Sequence, residues 1–363
     1  MIKQIEPWID HNELRELKRV INSTFVTESA LTEEFEKLTR ELTGAKHAIS
    51  FSNGTVAIYC ALKAIGIDHE DEVIVPDLTF IATANAVLMA GATPIFCDVY
   101  KNTFCIDVEK ANKLITRKTK VIIPVHLYGQ SSDMVKINAL AKNNNLFVIE
   151  DAAQGVGVKF LDRHVGTFGD IGILSYYGNK TITCGEGGMI LTNSDDYAEK
   201  CYKLKNHGRS DKGVFFHKEI GYNFSFTEMQ AAIGISQMKK LPLIIEKKKR
   251  IHDHYEKELS AIEQLDTCYI DDRCKPIYWM TSFLTNYKKD LSEYLLEKEI
   301  ETREFFYPLH LQPCYNNLNI IRNNYPIAEN IYNKGISLPS SYTLTKSQRK
   351  YIITCINNYF LKK

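Results

Sequence analysis

A chain of 363 residues has room for about two domains and a full hydrophobic core, with no need of disulfide or metal staples. Its 44% hydrophobic and 25% charged residues match a globular protein and exclude a disordered, collagenous or coiled-coil chain. Lys and Arg number 45 against 44 Asp and Glu, a formal charge of +1, so no global field steers the chain toward nucleic acid or anionic lipid; small-molecule partners are expected.

The stretch from Met1 to Ile21 is amphipathic and charged and lacks the apolar core of a signal peptide. Beyond it, short apolar or β-branched runs predict strands over 47–51, 72–75, 94–97, 120–125, 146–150, 171–175 and 188–192. Helical patterns fall between them over 55–65, 83–90, 108–115 and 134–143. This alternation predicts a doubly wound α/β sheet. Leu78 to Cys97 carries no charge, but Thr79, Thr83, Asn85, Thr93 and Pro94 divide it into a buried helix, a stop at Gly91 and a strand, which argues against a membrane span.

Around Phe224 the character changes. Ser225-Phe-Thr-Glu228 reads as a capping box opening a helix through MQAAIGISQMKK, and Pro242 either kinks that helix or starts a Lys/Glu-rich one running from Ile244 to about Leu259. The Tyr-, Asn- and Lys-rich remainder predicts a smaller α/β lobe, with a large domain over 1–245 and a small one over 246–363. Nine cysteines form no C-x-x-C pair or zinc-spaced cluster, so no metal is expected and a reducing cytoplasm is the simplest compartment.

Three segments carry chemistry. Ser52-Asn-Gly-Thr55 joins a strand to a helix, where free N–H groups and Gly54 suit an anion such as phosphate, although a plain N-cap reads the same way. Phe147 to Gln154 ends a buried strand in a carboxylate at the sheet edge where α/β proteins bind ligands. Asp151 there suits a protonated ring nitrogen, a metal or a helix cap. In Ser175 to Gly188, Lys180 lies between two strands in a loop tightened by Gly185, Gly187 and Gly188, either turned back to the sheet edge or solvated. The residues alone leave these alternatives open.

Taken in order, SNGT, TFIATANAV, GATPIFCDV, PVHLYGQ, VIEDAAQ, GTFGDIG, SYYGNK, TITCGEGGMI, GYNFSFTEMQAAIG, REFFYP and SLPSS give the chain a clear resemblance to the DegT/DnrJ/EryC1/StrS aminotransferases over almost its whole length. The resemblance implies a pyridoxal-phosphate (PLP) enzyme of fold type I, with a large doubly wound mixed-sheet domain and a smaller C-terminal α/β domain. It implies amino transfer from L-glutamate to a nucleotide-linked keto sugar, in a homodimer with shared active sites. Lys180 would carry the cofactor and shuttle the proton, Asp151 would hold the ring nitrogen protonated, and Gln154 would lie at the phenolic oxygen. Phe80 would stack on the ring; Gly54, Thr55 and Ser175 would hold the phosphate, and Asn223 would reach the phosphate in the other subunit.

His126, Arg303, Tyr307 and His310 are candidate substrate contacts or, alternatively, satisfy hydrogen bonds between lobes. The segments GNKTIT-x-GEGGM and TREFFYPLHLQPCY point within the family to a GDP-linked 4-keto-6-deoxymannose as acceptor, for O-antigen or another surface glycan. A dTDP- or UDP-linked sugar aminated at C4 or C3 is the alternative. Two features depart from the family pattern: Ser225 stands where an arginine is common, and the loop Ser23 to Ala30 lacks the usual glycines. Sugar dehydratases of the same fold carry histidine at the lysine position, so Lys180 argues against that reaction. A cofactor-binding regulator would need a nucleic-acid or partner-binding element that the chain does not display. A nicotinamide oxidoreductase would need a G-x-G-x-x-G after a strand, and none is present.

Overall fold

Runs such as Glu72 to Pro76, buried at every position, belong inside a sheet covered on both faces. The computed structural model, which describes residues 1–209, 213, 215–318, 320 and 323–363, assembles seven of them. They are β1 (His47–Phe51), β2 (Glu72–Pro76), β3 (Thr93–Cys97), β4 (Thr119–Ile122), β5 (Phe147–Asp151), β6 (Ile171–Ser175) and β7 (Gly188–Thr192), in the order β1-β7-β6-β5-β4-β2-β3. Only β7 runs antiparallel to its neighbours, so the other six strands end at one common edge. The loops leaving that edge open into α3 (Gly54–Ala64) and α4 (Ala82–Met89). The uncharged stretch from Leu78 thus divides into α4 and β3, and among the described residues no helix is long and apolar enough to cross a membrane.

Further along the chain, α8 (Glu228–Leu259) is a single helix of 32 residues that runs uninterrupted past Pro242 and residue 245. An interior proline costs a helix about 3 kcal/mol. Packing on both sides of it offsets that cost: Ala231, Ala232, Ile235, Leu241 and Ile244 join the core of the seven-stranded sheet, and Ile251, Tyr255 and Leu259 join a second core. The helix also starts differently from the expected Ser225 box. Thr227 is the N-cap, in a reciprocal box with Gln230. Glu228 instead turns across to α2 (Ala30–Thr43), where it accepts the N–H groups of Ser29, Leu31 and Thr32 at 2.8, 2.9 and 2.9 Å and so caps that helix. The loop before α2 needs no glycine, because Thr24 alone takes up the left-handed conformation at φ 60°.

A smaller antiparallel sheet follows, made of β8 (Asp266–Thr267), β9 (Thr281–Leu284), β10 (Arg303–Glu304) and β11 (Gly335–Leu338), ordered β8-β9-β11-β10. Two helices, α9 (Lys288–Glu297) and α11 (Lys346–Phe360), share its core through Leu291, Leu295, Ile352 and Ile356. The two units interleave. Phe305, Leu309, Tyr315 and Tyr325 return to the core of the large sheet, while Ile2 bridges Ile300 and Gln4 O accepts the Ser340 N–H at 2.8 Å.

Candidate active site

The common strand edge borders a cavity of about 230 Å³, roofed from the second unit by Trp279, Arg303 and Phe306. At one end lies the N-terminus of α3. Its cap is Asn53, whose side chain accepts the Val56 N–H at 3.0 Å, and the Gly54 and Thr55 N–H groups that follow have no acceptor within the helix. Together with the helix dipole they form an anion cradle, closed by Ser175 at the end of β6. Gly188 makes this approach possible, since a Cβ there would stand 2.4 Å from the Asn53 carbonyl oxygen.

Asp151, the last residue of β5, lines the cavity floor. Thr83 Oγ1 donates to one carboxylate oxygen at 2.7 Å and the Ala153 N–H to the other at 3.1 Å. A carboxylate has about four acceptor positions, so roughly two remain for a ligand.

Lys180 enters from the turn after β6, its backbone N–H held by Tyr177 O at 2.9 Å. Its Nζ stands 4.7 Å from the centre of the Trp279 ring. Burial pulls its pKa down; the negative charge of Asp151 opposes that and the positive charge of Arg303 adds to it, with the net value at about 8. A fraction of the amine is therefore neutral near pH 7. Trp279 is fixed at both ends: its indole N–H donates to Asn179 O at 2.7 Å, and its own carbonyl accepts from Lys248 Nζ at 2.9 Å.

A family model for the DegT/DnrJ/EryC1/StrS aminotransferases matches residues 7–357. The chain belongs to this family. It is 40% identical to the GDP-perosamine synthase of Escherichia coli O157:H7, over 99% of this chain and 98% of that one, and 37% identical to the GDP-perosamine synthase of Vibrio cholerae, over 99% of each. Among solved structures, DesV of S. venezuelae in complex with a ketimine intermediate superposes with a TM-score of 0.92 at 28% identity, covering 96% of this chain and 94% of that one. The chain is a PLP-dependent sugar aminotransferase of fold type I.

The residues fit the cofactor on their own chemistry, because an anion cradle, a carboxylate with free acceptor capacity and a buried amine of lowered pKa line one cavity. Gly54, Thr55, Phe80, Asp151, Gln154, Ser175 and Lys180 all lie in its wall. Gln154 Oε1 accepts the Tyr128 N–H at 2.7 Å, and the half-exposed Phe80 ring leans on Phe306 with centroids 5.8 Å apart. Asn223 lies outside this chain's cavity, exposed on a loop that Ser52 anchors by donating its N–H to Phe224 O at 2.9 Å.

Of the four candidate substrate contacts, only Arg303 lies in the wall of this aminotransferase's cavity. His126 points into the protein and is fully buried. Its Nε2 pairs with Glu150 at 2.9 Å and its Nδ1 accepts the Ser132 N–H at 3.2 Å, so no ring nitrogen is left for substrate. His310 is engaged by Asp77 at 2.7 Å and faces Glu329 at 3.4 Å. Burial opposes its protonation, but those carboxylates outweigh it and raise the pKa. The pair ties the 303–315 segment to the end of β2. Tyr307 packs edge-on against Tyr332, centroids 5.0 Å apart, and is also outside the wall.

Sequence reasoning missed Thr83, Trp279 and Tyr128. Thr83, in the first turn of α4 and so at the same sheet edge where Asp151 ends β5, was a readable signal for the first. No local pattern marks Trp279. Tyr128 and Gly129 both adopt positive φ, and a Cβ on Gly129 would stand 1.7 Å from Ile277 O, so the YG pair of PVHLYGQ is what lets the Trp279 loop sit down.

Proposed function

We propose that this enzyme transfers the amino group of L-glutamate to GDP-4-keto-6-deoxymannose, giving GDP-perosamine for a surface glycan. The observation that carries the reading is the end-to-end similarity to two GDP-perosamine synthases, on a chain whose cavity holds the anion cradle, Asp151 and Lys180 together.

When bound, PLP supplies a protonated aromatic ring that accepts the electron pair left when a C–H bond next to nitrogen is broken. The N-terminus of α3 and Ser175 would hold its phosphate, Asp151 would keep a proton on the ring nitrogen, and Phe80 would cover the ring. A carboxylate can do this because its negative charge favours the protonated heterocycle in a site of low dielectric. Lys180 Nζ takes the proton from the donor's α-carbon and, in the second half-reaction, delivers one to C4 of the sugar. Burial, which lowers its pKa, favours the neutral amine that such a proton transfer needs. Trp279 and Phe306 keep bulk water from the reacting carbon.

The catalytic form in this reading is a homodimer in the cytoplasm, in which Asn223 of the partner subunit completes the phosphate site. Its support is the exposed position of Asn223 on a loop anchored to Ser52, next to the cradle. Lys180→Ala and a disruptive Asn223 substitution should each cripple homodimers, whereas mixed dimers should regain one competent site. An active monomer would refute the shared site.

The substrate is tested by incubating the PLP form with glutamate and a panel of nucleotide keto sugars, followed by mass spectrometry of the products. Aminated GDP-sugar supports the proposal. Turnover of only dTDP- or UDP-linked sugars would replace the acceptor and leave the reaction class standing.

A further inference from the structure

Among the described residues, two cationic side chains line the cavity, Lys180 and Arg303. Arg303 sits on β10, an edge strand whose one neighbour is β11, with Arg303 opposite Ser337. The acids nearest in sequence are occupied elsewhere: Glu301 accepts the Gln4 N–H at 3.2 Å, and Glu304 pairs with Lys288 at 3.2 Å. Among the described residues, the Arg303 side chain makes neither an ion pair nor a hydrogen bond; its guanidinium carbon lies 5.9 Å from the centre of the Trp279 ring. A guanidinium presents five N–H donors in a planar fork that matches a carboxylate. Leaving all five without a protein acceptor in a cavity wall points to an anionic ligand group.

The position of that group follows from Lys180. Both cations lie near the Trp279 ring, Lys180 Nζ at 4.7 Å and the Arg303 guanidinium carbon at 5.9 Å from its centre, and the charge of Arg303 is felt at the Lys180 amine. In an amino-acid donor, the α-carboxylate is bonded directly to the carbon whose proton Lys180 must take. In a nucleotide keto sugar the nearest anion is the diphosphate on C1, across the sugar ring from a C4 ketone. A cation beside the lysine therefore matches the donor's carboxylate and not the acceptor's diphosphate.

Resting on the amino-transfer reading above, we propose that Arg303 is the donor-recognition residue, gripping the α-carboxylate while the α-carbon faces Lys180, and that the sugar half-reaction does not depend on it. The flat face of Trp279 supports the guanidinium when the carboxylate has left.

The test separates the two half-reactions in single-turnover absorbance experiments, glutamate with the PLP form and the nucleotide keto sugar with the pyridoxamine form. It adds calorimetric binding of glutarate, an unreactive dicarboxylate. Arg303→Gln should lower kcat/KM of the glutamate half-reaction and the glutarate affinity by about a hundredfold, the scale of a lost charge-assisted pair, with the sugar half-reaction within about threefold of wild type. Arg303→Lys should recover the donor step only in part, because a point charge cannot form the two-pronged contact. Loss confined to the sugar step would assign Arg303 to the diphosphate. Equal losses in both steps would make it a packing residue, and no loss would leave it without a role; each of these overturns the proposal. If the wild-type protein reacts with no amino acid, the amino-transfer reading itself fails, a result distinct from any of the Arg303 outcomes.

Discussion

On one face of β5, Glu150 accepts the Gly166 and Gly169 N–H groups at 2.7 and 2.6 Å and the His126 ring at 2.9 Å; on the other, Asp151 accepts one bond from Thr83 and one from Ala153. These consecutive carboxylates point to opposite sides because side chains alternate along a strand. Both are buried. Glu150 is closed off by the protein's own donors and ties β5 to the loop before β6, whereas Asp151 keeps acceptor capacity and faces the cavity. Burial of a charge does not distinguish the two; hydrogen-bonding capacity left over does, and it is what the proposed mechanism asks of Asp151.

The sharpest way to break this contrast is to neutralise each carboxylate in turn. Asp151→Asn should cut turnover by about a thousandfold or more while leaving thermal unfolding nearly unchanged, because an amide cannot hold the ring nitrogen protonated. Near-normal turnover would reduce Asp151 to a helix cap. Glu150→Gln should do the reverse: denaturant unfolding should show a loss of about 3 kcal/mol, as expected when one partner of a buried charged network is removed, with turnover per folded molecule within about tenfold of wild type. A dead but fully stable Glu150→Gln protein would contradict the contrast. Thr83→Val removes one of the two bonds that aim Asp151, and steady-state kinetics should show about a tenfold fall in kcat, the worth of a single hydrogen bond to a charged group.

The buried lysines repeat the pattern at lower stakes. Lys248 Nζ meets the carbonyls of Trp279 and Ser340 at 2.9 and 3.1 Å, which satisfies both N–H bonds of a neutral amine, and burial draws its pKa down to about 7. Its folded value lies below the unfolded one, so between the two the unfolded chain binds more protons and stability rises with pH. From pH 7 to 8 the gain should be about 1 kcal/mol relative to Lys248→Met, read from paired denaturant titrations. An identical pH dependence in both proteins would mean that Lys248 stays charged in the fold.

The parts legible in the sequence were those set by neighbours along the chain. Apolar runs of strand length alternating with helical patterns specify a covered parallel sheet, and a strand running straight into Ser52-Asn-Gly-Thr55 or into Asp151 places those groups at its edge whatever else the chain does. The family motifs extended this to the lysine.

Partners far apart in sequence were decided only by tertiary packing. His126 reads like a ligand contact but meets Glu150, 24 residues away, behind the sheet, and Glu228 reads like part of its own helix cap but serves α2 across 199 residues. Trp279 reaches the active site through Asn179, 100 residues before it, and Pro242 stays inside one helix because two cores hold it there. Periodicity encodes which face of an element is apolar; it does not encode which other element covers that face, and a polar side chain's role follows from whatever donor or acceptor the fold sets opposite it.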